Sequence, residues 1–93
     1  MIRAIIVDDD DLSRVLFEEY FTQDPEIQLI ESFSSPLSAV EFARSHHFEM
    51  AVLDVMMPDM DGIVLTRHLL QINPFLVPVF ITASEHFALE AYR

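Results

Sequence analysis

The apolar positions of the chain fall into short runs that recur at a regular interval. Four runs are mainly apolar: residues 2–7, 27–33, 50–53 and 77–81. Three of them are continuous and partly β-branched, which is typical of parallel strands that are covered on both faces. The run at 27–33 is interrupted by Glu31, as is typical of a strand at the edge of a sheet. The pattern therefore predicts four strands, one of them an edge strand.

The segments between these runs have the spacing of amphipathic helices. In the first segment, apolar residues at helical spacing predict a stripe that faces the core: Leu12, Val15, Leu16 and Tyr20. Phe17 and Phe21 widen this stripe. Asp10 or Asp11 is a candidate N-cap, and Asp24-Pro25 ends the predicted helix.

Three further helices are predicted downstream. The second begins at Ser35-Pro36, where a proline suits the first turn. The third begins near Asp61-Gly62 and runs to Asn73-Pro74, and the fourth occupies residues 85–92. The order of elements is β-α-β-α-β-α-β-α, which predicts an α/β fold with a parallel sheet and right-handed crossovers.

Polar side chains follow the predicted strands at their carboxyl ends. Asp8 and Asp9 follow the first strand, Asp54 follows the third, and Thr82 follows the fourth. In sheets of this kind, ligands bind outside the carboxyl ends of the strands. The topology therefore predicts that three carboxylates and a hydroxyl meet at one edge of the sheet.

Composition narrows the class of protein. The 93 residues are enough for one small domain, and a hydrophobic fraction of 52% excludes a disordered acidic tail. The net charge of −11 argues against binding to nucleic acid or anionic membranes. The absence of cysteine excludes disulfides and thiolate zinc sites. Acids interrupt the N-terminal apolar run, so a signal peptide is not predicted, and the expected location is the cytoplasm.

Converging carboxylates repel one another, so at neutral pH they must share protons or bind a cation. Hard oxygen ligands suit Mg²⁺, or Mn²⁺ in its place, and an aspartate beside such an ion can accept a phosphoryl group. A structural interpretation applies to the other acids. Asp10 and Asp11 can be helix caps, whereas Asp59 and Asp61 can be turn residues ahead of a helix.

Two rival metal or phosphate motifs can be checked against the sequence. The stretch "PDMDG" suggests a calcium loop, but the loop positions that need acids hold Met57 and His68, so the calcium loop fails. The stretch "DDDDL" resembles the nucleophile motif of haloacid-dehalogenase-type phosphatases, which would use Asp8 and Asp10. That family also needs a lysine, and this chain has none. A magnesium-dependent phosphatase is therefore the second interpretation.

Three motifs in order resemble the receiver domain of two-component response regulators: the strand that ends in Asp8-Asp9, then "LDVMMPDMDG", then "VFITAS". The resemblance covers the whole chain. The final stretch, "SEHFALEAYR", is similar to receivers that precede a LytTR-type DNA-binding domain. The resemblance implies a flavodoxin-like doubly wound sheet with strand order 2-1-3-4-5.

The resemblance also implies a role for each site residue. Asp54 is the expected phosphoacceptor, with a histidine kinase as donor. Asp9 and Asp54 are expected to bind Mg²⁺ directly, Asp8 through water, and Met56 through its backbone carbonyl. Thr82 is the expected switch hydroxyl. Such a module would not be an enzyme, beyond catalysing its own phosphorylation and dephosphorylation.

Residues 1–93 depart from the family pattern in one respect. Receivers carry an essential lysine on a fifth strand, followed by a fifth helix, and these 93 residues contain no lysine. We therefore expect strand order 2-1-3-4, a receiver incomplete at its C-terminus without an output domain, and impaired phosphorylation. An uncovered fourth strand or sheet face predicts self-association, strengthened by salt because the net charge is high.

Overall fold

The architecture was obtained as a computed structural model, and residues 1–81 are the part of the chain that it describes. Strands and helices alternate in the order β1 (Ile2–Val7), α1 (Asp11–Thr22), β2 (Ile27–Phe33), α2 (Pro36–Ala43), β3 (Met50–Asp54), α3 (Gly62–Ile72) and β4 (Val77–Ile81). The strands form one parallel sheet in the order β2-β1-β3-β4. The predicted flavodoxin-like topology is confirmed for these strands. The predicted fourth helix lies outside the described residues.

The two central strands are buried on both faces. Residues Ile5 to Val7 of β1 and Ala51 to Leu53 of β3 have no exposed surface. Side chains alternate between the faces of a strand, so the two faces bury different residues. One face contributes Ile5 and Leu53 to a core with residues of α2 and α3, among them Leu65. Burial on both faces explains why these runs are continuous in the sequence.

The register of the central strands determines where the acids lie. Val7 of β1 pairs with Leu53 of β3. The residues that follow this pair, Asp8 and Asp54, therefore leave the sheet side by side at its carboxyl edge. The outer strand β4 continues this edge, because Ile81 is opposite Asp54.

Each helix begins at a side chain that caps its first turn. The Asp10 carboxylate accepts a hydrogen bond of 2.8 Å from the Ser13 amide, so Asp10 is the N-cap of α1. Ser35 caps α2 and is followed by Pro36. Asp61 caps α3 through a bond of 2.8 Å from the Val64 amide. These starts agree with the predicted ones. None of the helices within residues 1–81 is long and apolar enough to cross a membrane.

The predicted core-facing stripe of α1 is wrong. Its members are exposed, from 47% for Val15 to 69% for Leu12 and Tyr20. The half-buried face of α1 instead carries Phe17 and Phe21.

Polar contacts explain this rotation of α1. The Arg14 side chain donates a hydrogen bond to the backbone carbonyl of Asp8, and the Ser32 hydroxyl on β2 donates one to the Glu18 carboxylate. Both bonds turn the half-buried face toward β1 and β2. The spacing of apolar residues gives no information about such polar contacts, so it could not predict which face of α1 is buried.

Candidate functional site

Three carboxylates meet at the carboxyl edge of the sheet. Oxygen atoms of Asp8, Asp9 and Asp54 all lie within 4.8 Å of one another. Asp8 is buried, with 2% of its surface exposed, whereas Asp54 is half-buried and Asp9 is exposed. The predicted convergence of these three acids is therefore observed, and the cluster opens to solvent on the side of Asp9.

Backbone amides hold two of the acids in place. The Asp8 carboxylate accepts a hydrogen bond of 2.9 Å from the Asp10 amide, and the Asp54 carboxylate accepts one of 3.2 Å from the Met56 amide. Each bond spans two residues, which is the geometry of an Asx turn. The turns after β1 and β3 therefore orient the side chains that the strands deliver.

Gly62 allows α3 to start against the end of β3. Its amide donates a hydrogen bond of 2.9 Å to the Val55 carbonyl. A Cβ at this position would lie 2.4 Å from the backbone oxygen of Asp54. Only a residue without a side chain permits this approach. The single glycine of the chain thus fixes the backbone at Asp54.

Burial raises the pKa of two of these carboxyl groups. Desolvation is the largest cause for Asp54, whose pKa rises to about 6, and the negative charge of Asp8 adds to it. The pKa of Asp8 is raised by desolvation as well. The hydrogen bonds from the Met56 and Asp10 amides oppose these shifts. The pocket therefore holds more negative charge at neutral pH than its surroundings stabilise.

This donor set fits a hard divalent cation. The three side chains offer only carboxylate oxygens, at separations that one ion can span. An ion would offset both the desolvation and the repulsion that raise the pKa of Asp54. Mg²⁺ accepts a few protein oxygens and keeps several waters, so an open pocket suits it.

The remaining residues that the sequence assigned to a site are Met56, Thr82 and Asp10. Met56 lies in the turn after β3 and is 61% exposed, and a role for its carbonyl stays a prediction. Thr82 lies outside the described residues. Asp10 caps α1, and hydrogen bonds from Ser13 lower the pKa of its carboxyl group. An ionised cap is poorly suited to donate protons, which argues against the phosphatase interpretation.

Sequence reasoning missed Arg14. Its guanidinium reaches the Asp8 carbonyl at 2.9 Å and the Asp11 carboxylate at 2.6 Å. An arginine one helical turn after a run of four acids was the available signal.

Curated relatives and solved structures resemble this chain. It is 36% identical, over 90% of its length, to a protein-glutamate methylesterase/protein-glutamine glutaminase of Hydrogenovibrio crunogenus, of which it covers 22%. The chain spans about a quarter of the length of the curated relatives it matches.

Two solved domains share the fold. The response regulatory domain of protein mrkE from Klebsiella pneumoniae is 26% identical, with a TM-score of 0.81 over 98% of this chain and 75% of that one. The response regulator domain of Thermotoga maritima CheB is 23% identical, with a TM-score of 0.81 over 100% of this chain and 72% of that one.

The family model of the response regulator receiver domain matches residues 4–92. The match includes β3, all of β1 from Ala4 onward, the three clustered acids and the turn at Gly62. With the strand order and the acidic pocket already described, it shows that this chain belongs to the response regulator receiver domain family.

Proposed function

We propose that Asp54 is the residue of this receiver domain that accepts the phosphoryl group. The observation that carries the proposal is its position, half-buried at the end of a rigid central strand with Asp8 and Asp9 within 4.8 Å. A pKa of about 6 makes Asp54 a stronger base than an ordinary aspartate, yet leaves it largely ionised at neutral pH.

The proposed reaction is a single phosphoryl transfer. A carboxylate oxygen of Asp54 forms a bond to phosphorus while the bond from phosphorus to the donor breaks. For a phosphohistidine donor, the electron pair of the broken bond goes to the imidazole nitrogen, which takes up a proton from solvent so that a neutral histidine leaves. The product is an aspartyl-phosphate on the receiver, and the catalytic effect comes from positioning and electrostatics.

The cation for this site is Mg²⁺ or Mn²⁺. Asp9 and Asp54 would hold it directly, Asp8 through a water molecule, and the Met56 carbonyl would supply a further oxygen. When bound, it would neutralise charge on the carboxylates and on the phosphoryl oxygens. The Thr82 hydroxyl is proposed to donate a hydrogen bond to a phosphoryl oxygen.

The proposed physiological donor is a sensor histidine kinase. The exposed stripe of α1 supports a protein donor, because it begins beside the acidic pocket: Leu12, Val15, Leu16 and Tyr20. Contiguous exposed apolar side chains often mark protein interfaces. Leu16→Glu should slow transfer from any histidine kinase that phosphorylates the unaltered chain, while leaving the rate with acetyl phosphate unchanged. Equal slowing with both donors would contradict an interface on this stripe.

Acetyl phosphate with Mg²⁺ tests the role of Asp54. Mass spectrometry of the intact chain should show the addition of one phosphoryl group, and Asp54→Asn should abolish it. Asp59→Asn is the matched control, since Asp59 is an exposed aspartate in the same loop. Loss of labelling in the control as well, or labelling that persists in Asp54→Asn, would contradict the assignment.

The phosphatase alternative is not favoured by the family match or by the capping role of Asp10. It predicts a different pattern of variants. Hydrolysis of a phosphomonoester would be lost in Asp8→Ala and kept in Asp54→Ala. The receiver proposal predicts no sustained hydrolysis in the unaltered chain, so one assay separates the two reactions.

The receiver is proposed to act in the cytoplasm as a phosphoacceptor rather than as an enzyme. Since the chain covers 22% of the methylesterase from Hydrogenovibrio crunogenus, that activity is a property of the relative. A downstream LytTR-type domain stays a prediction, as does impaired phosphorylation in a chain without lysine.

We also propose that the chain self-associates through the outer edge of β4 or an uncovered sheet face. β4 pairs with β3 along one side, and within residues 1–81 no strand pairs with its other side. Val77 and Phe80 on this strand are exposed. Exposed edges of this kind are templates for pairing. Light scattering over a concentration series should show association that increases with salt, and a monomer at high salt would contradict it.

A further inference from the structure

The guanidinium of Arg14 connects α1 to the turn that carries two of the clustered acids. One terminal nitrogen donates a hydrogen bond of 2.9 Å to the backbone carbonyl of Asp8. The other donates one of 2.6 Å to the carboxylate of Asp11, forming the one salt bridge found within residues 1–81. The Arg14 side chain is 18% exposed and the Asp11 side chain is 85% exposed. The mostly buried end of this contact is therefore the one at Asp8.

The carbonyl that Arg14 holds belongs to the peptide unit between Asp8 and Asp9. Rotation of this peptide unit would move the two carboxylates relative to each other. The Asp8 amide is fixed by a bond of 3.0 Å to the Phe33 carbonyl, and the Asp8 carboxylate by the Asp10 amide. Arg14 supplies the remaining restraint, on the side of the peptide that leads to Asp9.

We propose that Arg14 is a positioning residue, whose guanidinium fixes the peptide between Asp8 and Asp9 so that both carboxylates face one divalent cation. The inference rests on the proposed function, since it assigns Arg14 to the metal site described there. Arg14 would act through the backbone of Asp8 rather than by touching the cation or the phosphoryl group.

If Arg14 acts through its charge, removing it should change the affinity for the cation in one direction, and if it acts by positioning the peptide, in the opposite direction. Loss of a positive charge beside an acidic pocket should strengthen the attraction of a cation. Loss of the guanidinium that holds the peptide should weaken binding of the cation, because supporting contacts around metal ligands typically contribute 10–100-fold in affinity. The sign of the change in affinity therefore identifies the role.

Lysine separates the two effects further. A lysine at position 14 keeps the positive charge, but its single ammonium group cannot reproduce the planar fork that spans two oxygens. We expect Arg14→Gln to bind Mn²⁺ about tenfold more weakly than the unaltered chain, and Arg14→Lys to recover only part of this loss. Arg67→Gln is the matched control, since it removes the same charge from an exposed position on α3 and should leave the affinity unchanged.

The experiment is a calorimetric titration of the 93-residue chain with Mn²⁺ alone. Circular dichroism of each metal-free variant verifies that it is folded, and Arg14→Lys decides the test should Arg14→Gln fail to fold. Full recovery of affinity in Arg14→Lys would show that a single ammonium group replaces the planar guanidinium, and it would overturn the proposal that the two-oxygen contact of the guanidinium positions the peptide. Equal or tighter binding by Arg14→Gln would overturn it as well.

Asp9→Asn distinguishes this failure from failure of the proposed function. If the unaltered chain binds Mn²⁺, Asp9→Asn abolishes binding and Arg14→Gln does not weaken it, only the role of Arg14 is wrong. If the unaltered chain binds no Mn²⁺, the proposed metal site is wrong, and the role proposed for Arg14 at that site is wrong as well.

Discussion

Gly62→Ala should destabilise the domain, although alanine is the better helix former. Gly62 is the first residue of α3. An added Cβ would lie 2.4 Å from the Asp54 oxygen, 3.1 Å from the Asp54 carbonyl carbon and 3.2 Å from the Val55 Cα. All three are backbone atoms, so no side-chain rotation can relieve the contact. The start of α3 and the end of β3 must separate until the first distance exceeds 3.0 Å.

Two opposing contributions determine the size of this effect. Replacing glycine by alanine inside a helix contributes about 0.5–1 kcal/mol of stability, and less at a first position. Overpacking against fixed atoms costs about 1–3 kcal/mol. The free energy of unfolding should therefore fall by about 1–2 kcal/mol, which lowers the Tm of a domain of this size by roughly 5–15 °C.

The displacement should also slow phosphorylation of Asp54. A shift of about 1 Å at a reacting group can cost about 100-fold in rate, so the smaller shift required here should cost about tenfold. Thermal unfolding monitored by circular dichroism measures the loss of stability. The rate of labelling with acetyl phosphate measures the loss of phosphorylation. Ile63→Ala, an exposed substitution in the same helical turn, is the control for helix propensity. An unchanged or higher Tm of Gly62→Ala, with normal labelling, would refute the argument.

Three further predictions concern the acids. The raised pKa of Asp54, about 6, means that the folded state binds its proton more tightly than the unfolded state does. Its contribution to stability is therefore complete below about pH 4 and is lost as the pH rises through about 6. In urea unfolding without metal, the free energy of unfolding of Asp54→Asn should therefore decrease less between these two pH values than that of the unaltered chain. Mg²⁺ at about 100 times its Kd should raise the free energy of unfolding by about 2.7 kcal/mol, and a thermal scan of Asp9→Asn should show no such gain. Asp10→Ala should lose about 1 kcal/mol of stability through the N-cap of α1, with labelling by acetyl phosphate retained.

The strands and the acidic cluster were predictable because each depends on a strong, local signal. Residues 4–7 and 50–53 are continuously apolar because β1 and β3 are covered on both faces there. A parallel sheet then brings the residues after these runs to one edge, whatever the details of the helices. The proximity of Asp8, Asp9 and Asp54 therefore follows from topology.

The orientation of α1 was not predictable from its periodicity. Two apolar sets lie on neighbouring faces of this helix, one centred on Leu16 and the other on Phe17 and Phe21. Apolar spacing cannot choose between faces that differ by about 100°. The choice depends on the contacts of Arg14 and Glu18 with Asp8 and Ser32, which are distant in sequence or involve the backbone.

The buried strands of the site are rigid, whereas the turns after β1 and β3 can move when the charge in the pocket changes. Val7 and Leu53, which precede Asp8 and Asp54, have no exposed surface, so moving either strand would disrupt the core. The carboxylates themselves are held by single hydrogen bonds from the turns after β1 and β3. Protonation of Asp54 or binding of a cation would reduce the uncompensated negative charge in this desolvated pocket, and the turns can adjust to that change without moving the strands. The first response to phosphorylation should therefore occur in the backbone around Met56 and Asp10, where the amides that now bind carboxylates can be released.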